Sequence, residues 1–487
     1  MQSLIRFVSR PWAETERPMF GRAGVVSVVL AVALAFETNA ASLREELLAI
    51  PLSEDLGGAM TRPDASANAF SLIAANASAQ NRAQATFGIQ MFAVEWKPTP
   101  GVQPVTDGLG PLFNRESCIA CHEKSGRGRA PSGPSQPMQS MLLRLSIPGS
   151  GDHGGAVPVP GYGDQLQDRA IDTVAPEGRV HVSWDETSGR FGDGEPYALR
   201  RPKFEFTDLA YGKLPNNLLT SPRVANPVIG LGLLEAVPEA SLAALADPDD
   251  ADHDNISGRM NVVWDALSHT MKPGRFGWKA NVASVAHQSA GAARGDMGIN
   301  TPVFPNDHCE PVQTVCLAEA QRADQGLEMS EAFFTRLITY MRLLAVPKQR
   351  DSDQPNIKRG QKLFHDMGCA SCHMPTLKTD ATASLPELRE QTFHPFTDLL
   401  IHDMGEGLSD GRPDYLASGT EWRTAPLWGI GLTNIVSGHT EFLHDGRARN
   451  LSEAILWHGG EAEAAKGKFR SVSKTTRDDL LTFLGSL

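Results

Sequence analysis

Two five-residue units carry the chemistry most readily read from this chain: Cys118-Ile-Ala-Cys121-His122 and Cys369-Ala-Ser-Cys372-His373. Thiols three positions apart share one turn, and each can add to a vinyl group of the same porphyrin. The adjacent imidazole then lies under the ring as an iron ligand. Two other chemistries use C-x-x-C: a redox dithiol in a βαβ frame, and a structural zinc site with a second pair close by. Neither context surrounds these units. The spacing therefore points to two covalently bound haems c, attached at Cys118, Cys121, Cys369 and Cys372, with His122 and His373 as proximal ligands.

The other two cysteines, Cys309 and Cys316, are separated by six residues. In an oxidising compartment such a pair closes a loop as a disulfide. A redox-active dithiol would need a neighbour that depresses a thiol pKa, and none is near in sequence.

The sixth position of each iron decides what it does, because a thioether there raises the reduction potential and suits electron transfer. For the second unit the candidate is Met404, in the glycine-bearing loop Asp398–Gly407, with His402 as its rival. Packing is the ordinary alternative for a methionine. For the first unit His153, His181, His269 and His287 lie in the intervening region, and none is singled out.

His444, Arg447 and His458 fall in a loop-then-helix unit, Phe442–Gly459, and are candidates for the haem edge, where they would hydrogen-bond propionates. Turn chemistry at Asp445-Gly446 is the plain alternative. Asp250, Asp252 and Asp254 alternate like the first half of a calcium loop and would suit one calcium ion. However, Asn255 and Asn261 stand where such a loop has Gly and Glu, and a solvated acidic turn looks the same.

The elements that must position these groups are legible in part. The chain has 487 residues, 41% hydrophobic and 21% charged, an ordinary globular balance. Its formal charge of −12 argues against nucleic-acid binding, since no basic excess is available for phosphates. Gly 45 and Pro 33 imply long connecting loops. Residues 1–40 read as a secretory signal: basic flank, an apolar run over Ala23–Phe36, and a small-residue exit. That run is short for a membrane span, so the expected mature protein is exported with no stable span.

Helical periodicity predicts helices over Ser330–Leu344 and Lys474–Leu487, and places Gly360 and Phe364 on one helical face before the second unit. Alternation predicts strands at Arg179–Trp184 and Lys203–Thr207. Asp351–Pro355 reads as a linker. The expected architecture is mainly α: an N-terminal haem domain with β-strand and long loop insertions (41–350), and a C-terminal cytochrome c domain (351–487).

With both units placed, the chain resembles the bacterial di-haem oxidoreductase family, the so-called thiol oxidoreductases related to di-haem cytochrome c peroxidases. The resemblance is carried by Asp107–Gly128, Ser221–Glu239, Asp247–Asp265, Arg359–Pro375, Thr397–Asp410, Glu421–Gly431 and Leu443–Glu463, among other segments. It implies a periplasmic oxidoreductase with a peroxidase-like reaction. Electrons would enter at a C-terminal haem ligated by His373 and Met404 and pass to a reactive N-terminal haem on His122. It further implies an acid–base group, for which Glu235 is the candidate, with Trp278 or Trp428 between the haems or simply packing. The partners would be a donor such as a small cytochrome and an oxidant such as hydrogen peroxide. The alternative is a non-enzymatic electron carrier serving a periplasmic iron-uptake or respiratory partner. The word "thiol" finds no support, because haem attachment and a disulfide account for all six cysteines.

Overall fold

A computed structural model describes residues 43–99, 106–306, 308–323 and 326–487. The signal segment at 1–40 lies outside the described residues. Among them, no helix is long and apolar enough to cross a membrane.

The best helices form where glycine and proline are sparse and apolar residues recur with helical period. Helix α1 (Ala79–Ala93) starts at Ser78, whose hydroxyl accepts from Asn81 N. Helix α2 (Val285–Met297) is capped in the same way by Ser284. In α3 (Glu331–Leu343), Ser330 caps the start and Phe333, Phe334, Leu337, Ile338 and Met341 bury one stripe. Helix α4 (Pro355–Asp366) begins on a proline, which needs no donor in the first turn. It buries Gly360 and Phe364 together, as the periodicity predicts. Helix α5 (Leu451–Trp457) is capped by Asn450, and α6 (Lys474–Ser486) by Ser473. Of the inward positions predicted for α6, Leu480, Phe483, Leu484 and Leu487 are buried and Leu481 is partly so.

Close helix pairs use glycine where a side chain would collide. A Cβ on Gly360 would lie 2.1 Å from the Asp479 carbonyl of α6, and one on Gly88 of α1 2.3 Å from the Arg336 carbonyl of α3.

The mainly α expectation is overturned. About 34% of the residues are helical and 17% are in strands. The described strands form six two-stranded ribbons, all antiparallel. The longest joins β1 (Arg179–Arg190) to β2 (Pro196–Thr207), with Val182 opposite Phe204, covering both predicted strands. Ribbons also occur where a helical cytochrome module was expected, at Leu377–Lys378 with Thr392–Phe393 and at Ile401–Asp403 with Glu421–Arg423. The reason is local. Gly and Pro interrupt the C-terminal part often enough that helical turns cannot propagate, and extended pairs satisfy the backbone instead.

One large hydrophobic cluster runs from Leu47 to Leu487 and includes Phe70, Phe92, Leu337, Phe364 and Phe483. A second gathers Met141, Leu143, Val182, Trp278 and Trp422. The first described segment hydrogen-bonds deep into the second half: Arg44 to the Ser371 carbonyl at 2.8 Å, Ser53 N to His394 Nε2 at 3.1 Å, and Asn81 Nδ2 to Glu387 at 2.9 Å.

Candidate functional site

Each C-x-x-C-H unit folds as one tight turn. Cys121 N donates to the Cys118 carbonyl and His122 N to the same oxygen at 3.0 Å; His373 N donates to the Cys369 carbonyl at 2.9 Å. The turn brings both thiols of a pair to one side and swings the imidazole beyond them. None of the four is in a disulfide. Burial pushes the Cys118, Cys121 and Cys369 thiols up to about 12 and raises Cys372 as well. Redox-active C-x-x-C thiols shift the opposite way.

Both imidazoles are oriented by the backbone. His122 Nδ1 lies 2.7 Å from the Asn226 carbonyl and His373 Nδ1 2.9 Å from the Phe396 carbonyl. A carbonyl only accepts, so Nδ1 carries the proton and the lone pair is on Nε2, the form that ligates a metal. Burial keeps both rings neutral by lowering His122 and pushing His373 down to about 4.

The two units open on one cavity of about 620 Å³. Its walls include Phe92, Leu337 and Met341 near the first unit, Phe364, Phe469 and Leu484 near the second, and Trp278 and Trp422 as well. Six arginines line it. Three are matched by acids: Arg115 with Asp168 at 3.0 Å, Arg144 with Asp164 at 2.8 Å, and Arg223 with Asp414 at 2.8 Å.

The other three are not in an ion pair among the described residues. Arg127 donates to the Glu441 and Leu443 carbonyls, Arg275 to those of Leu234 and Val237, and Arg423 to those of Gly277 and Thr424. Burial pulls Arg127 and Arg423 down to about 10 and lowers Arg275. Carboxylates act on them only at longer range, Glu441 and Asp445 on Arg127, Glu239 and Glu235 on Arg275, and Asp398 on Arg423, so an anion brought into the cavity would still relieve their burial. Haem carries two propionates, so paired thiols, a neutral imidazole, apolar walls and unmatched guanidinium groups fit one haem at each unit.

A family model described as "Di-haem oxidoreductase, putative peroxidase" matches residues 53–487. The chain belongs to the di-haem oxidoreductase family. No curated protein matches it.

Within this di-haem oxidoreductase the residues singled out from sequence separate clearly. Met404 lines the cavity just before a single helical turn, Gly405–Leu408, and packs with the Trp278–Trp422 cluster. His402, its rival, has both ring nitrogens occupied, Nε2 by Asp398 at 2.8 Å and Nδ1 by Glu461 at 2.7 Å. The negative partners raise its pKa well above the ordinary value, so it is a cation and not a ligand.

Glu235 does not line the cavity. Its carboxylate pairs with Arg342 at 2.5 Å and accepts from Val285 N at 2.8 Å, tying α2 to α3. His153, His181, His269 and His287 do not line it either; His153 stacks on Trp264 at 3.7 Å and His181 bonds the Pro134 carbonyl.

His444 lines the cavity and stacks on Trp422 at 3.7 Å, with Trp278 edge-on. Arg447 does not: it pairs with Asp445 at 2.7 Å and bonds the Gly407 carbonyl. His458 does, as do Trp278 and Trp428. Cys309 and Cys316 form a disulfide beside Leu112 and Val174. In the acidic loop, Asp247 joins Asp250 and Asp252 with carboxylate oxygens within 4.8 Å of one another, while Asp254 accepts from Ile256 N and lines the cavity.

Sequence reading missed the three unmatched arginines and the Trp422–His444 stack. Arg127 comes soon after His122, and a basic residue so near a haem unit was the available signal; Arg275 and Arg423 stand far from either unit in sequence and carried none.

Proposed function

We propose that this chain is an exported c-type di-haem oxidoreductase that reduces hydrogen peroxide with electrons from a small periplasmic cytochrome. The observation that carries the reading is that both C-x-x-C-H units open on one cavity. Bound there through thioether bonds, the haems would supply electron entry at His373 and peroxide reduction at His122.

The protein's part is positioning, charge and protons. Asn226 and Phe396 hold the two imidazoles in the ligating tautomer through their carbonyls. Arg127, Arg275 and Arg423 would hold propionate groups through charge-assisted hydrogen bonds. Trp278, Trp422 and His444 form a continuous aromatic patch on the cavity wall, where packed π-systems exclude water. Asp296 is a half-buried carboxyl that lines the same cavity. Gln165 Nε2 donates to its Oδ1 at 2.8 Å, and burial raises its pKa, which suits a proton carrier better than the ion-paired Glu235.

Peroxide consumption by the holoprotein, with a reduced cytochrome or dye as donor, tests this. Steady turnover that stops when the donor is exhausted is expected. A protein holding both haems that leaves peroxide untouched in every redox state would overturn the peroxidase reading and favour an electron carrier.

A further inference from the structure

We infer that His458 is the second protein ligand of the iron held by His373, so that this haem is bis-imidazole and Met404 is a packing residue. The inference rests on the di-haem reading above and replaces the histidine–methionine pairing expected from sequence.

Helix α5 ends at Trp457, and His458 leaves it in an extended conformation, its backbone N donating to the Ile455 carbonyl at 3.1 Å. That leaves the Ala454 carbonyl without its usual helical donor, and His458 Nδ1 supplies one at 2.7 Å. The ring is thereby fixed with the proton on Nδ1 and the lone pair on Nε2, as at His122 and His373. Capping the helix end accounts for Nδ1 alone. Nε2 has no partner among the described residues, and the ring lines the cavity that holds the second unit. His458 also lies in the electrostatic neighbourhood of His373.

Placement separates it from its competitors. Helix α5 packs against α6, and Phe483 of α6 packs edge-on against Phe364, whose ring lies 6.4 Å from that of His373. Met404 packs in the other cluster, with Trp422, Leu408 and Trp457. His402 is held by two carboxylates and has no free lone pair.

The test uses the holoprotein and two variants, His458→Met and Met404→Leu. Covalent haem content, from the pyridine haemochrome and the intact mass, is measured first; fewer than two haems in the native protein would overturn the di-haem reading itself. With both haems present, the native spectrum is expected to lack a methionine–iron charge-transfer band from the haem on His373. His458→Met should create that band and shift this haem's midpoint potential upward, while Met404→Leu should leave band and potential unchanged. A native band that disappears in Met404→Leu, or a His458→Met spectrum identical to the native one, would overturn the assignment to His458.

Discussion

At the scale of single residues, the haem reading turns on buried cations that make no direct ion pair. Arg423 donates only to backbone carbonyls, and burial pulls it down to about 10. If a propionate is its partner, Arg423→Met should lower a haem midpoint potential, because a nearby cation favours the reduced form. One charge roughly 10 Å away at an effective dielectric near 20 is worth about 1–2 kcal/mol. Potentiometry on the holoprotein checks this, and an unchanged potential would reduce Arg423 to packing.

Asp414 poses the opposite case, a buried carboxylate fully answered by Arg223 at 2.8 Å and Arg412 at 3.2 Å. Those cations hold its pKa below the ordinary 3.8 despite burial. A carboxylate with a lowered folded pKa stabilises above its unfolded value, and that contribution fades as pH falls through the lowered one. Asp414→Asn should therefore cost about 3–5 kcal/mol at neutral pH and flatten the loss of stability below pH 3.8, as read from denaturant unfolding across pH. The two C-x-x-C-H turns were legible at this scale, because thiol spacing and an adjacent histidine are local. The fates of Glu235, His402 and Arg447 were not, because their partners Arg342, Glu461 and the Gly407 carbonyl lie 40 to 107 positions away.

Among the elements, the seam between α4 and α6 shows how the second unit is held. Phe364 of α4 packs edge-on against both Phe396 and Phe483, and the Phe396 carbonyl orients His373. Gly360 lets α6 approach this close. Gly360→Ala should overpack the seam and cost about 1–3 kcal/mol. A matching loss should appear in thermal unfolding, with perturbed absorption of the haem on His373 but not of its partner. The loop closed by Cys309–Cys316 makes a useful contrast, since it packs in a small separate cluster. Replacing both cysteines by serine should remove about 2–3 kcal/mol through the unfolded chain and leave both haem spectra intact.

Elements with uninterrupted period, α3 and α6, were readable from sequence within a residue, and the buried face of α4 was readable although its start at Pro355 fell in the expected linker. The short ribbons were not. Pairs such as Leu377–Lys378 with Thr392–Phe393 carry no periodic signal and form because distant backbone needs partners. That is also why the mainly α expectation failed.

The whole molecule is organised by the shared cavity. The described chain starts by packing against the second half, Arg44 reaching Ser371 inside the second haem unit, and ends with Arg350 bonded to the Gly485 and Leu487 carbonyls. Two haem sites joined by one core and one cavity suit electron exchange between them better than two tethered carriers would. The most direct test is the electron paramagnetic resonance spectrum of the holoprotein, oxidised and half-reduced, before and after peroxide. Two distinct haem signals are expected, of which the half-reduced protein changes one on adding peroxide while the haem on His373 stays low-spin. Two low-spin signals indifferent to peroxide in both redox states would contradict it.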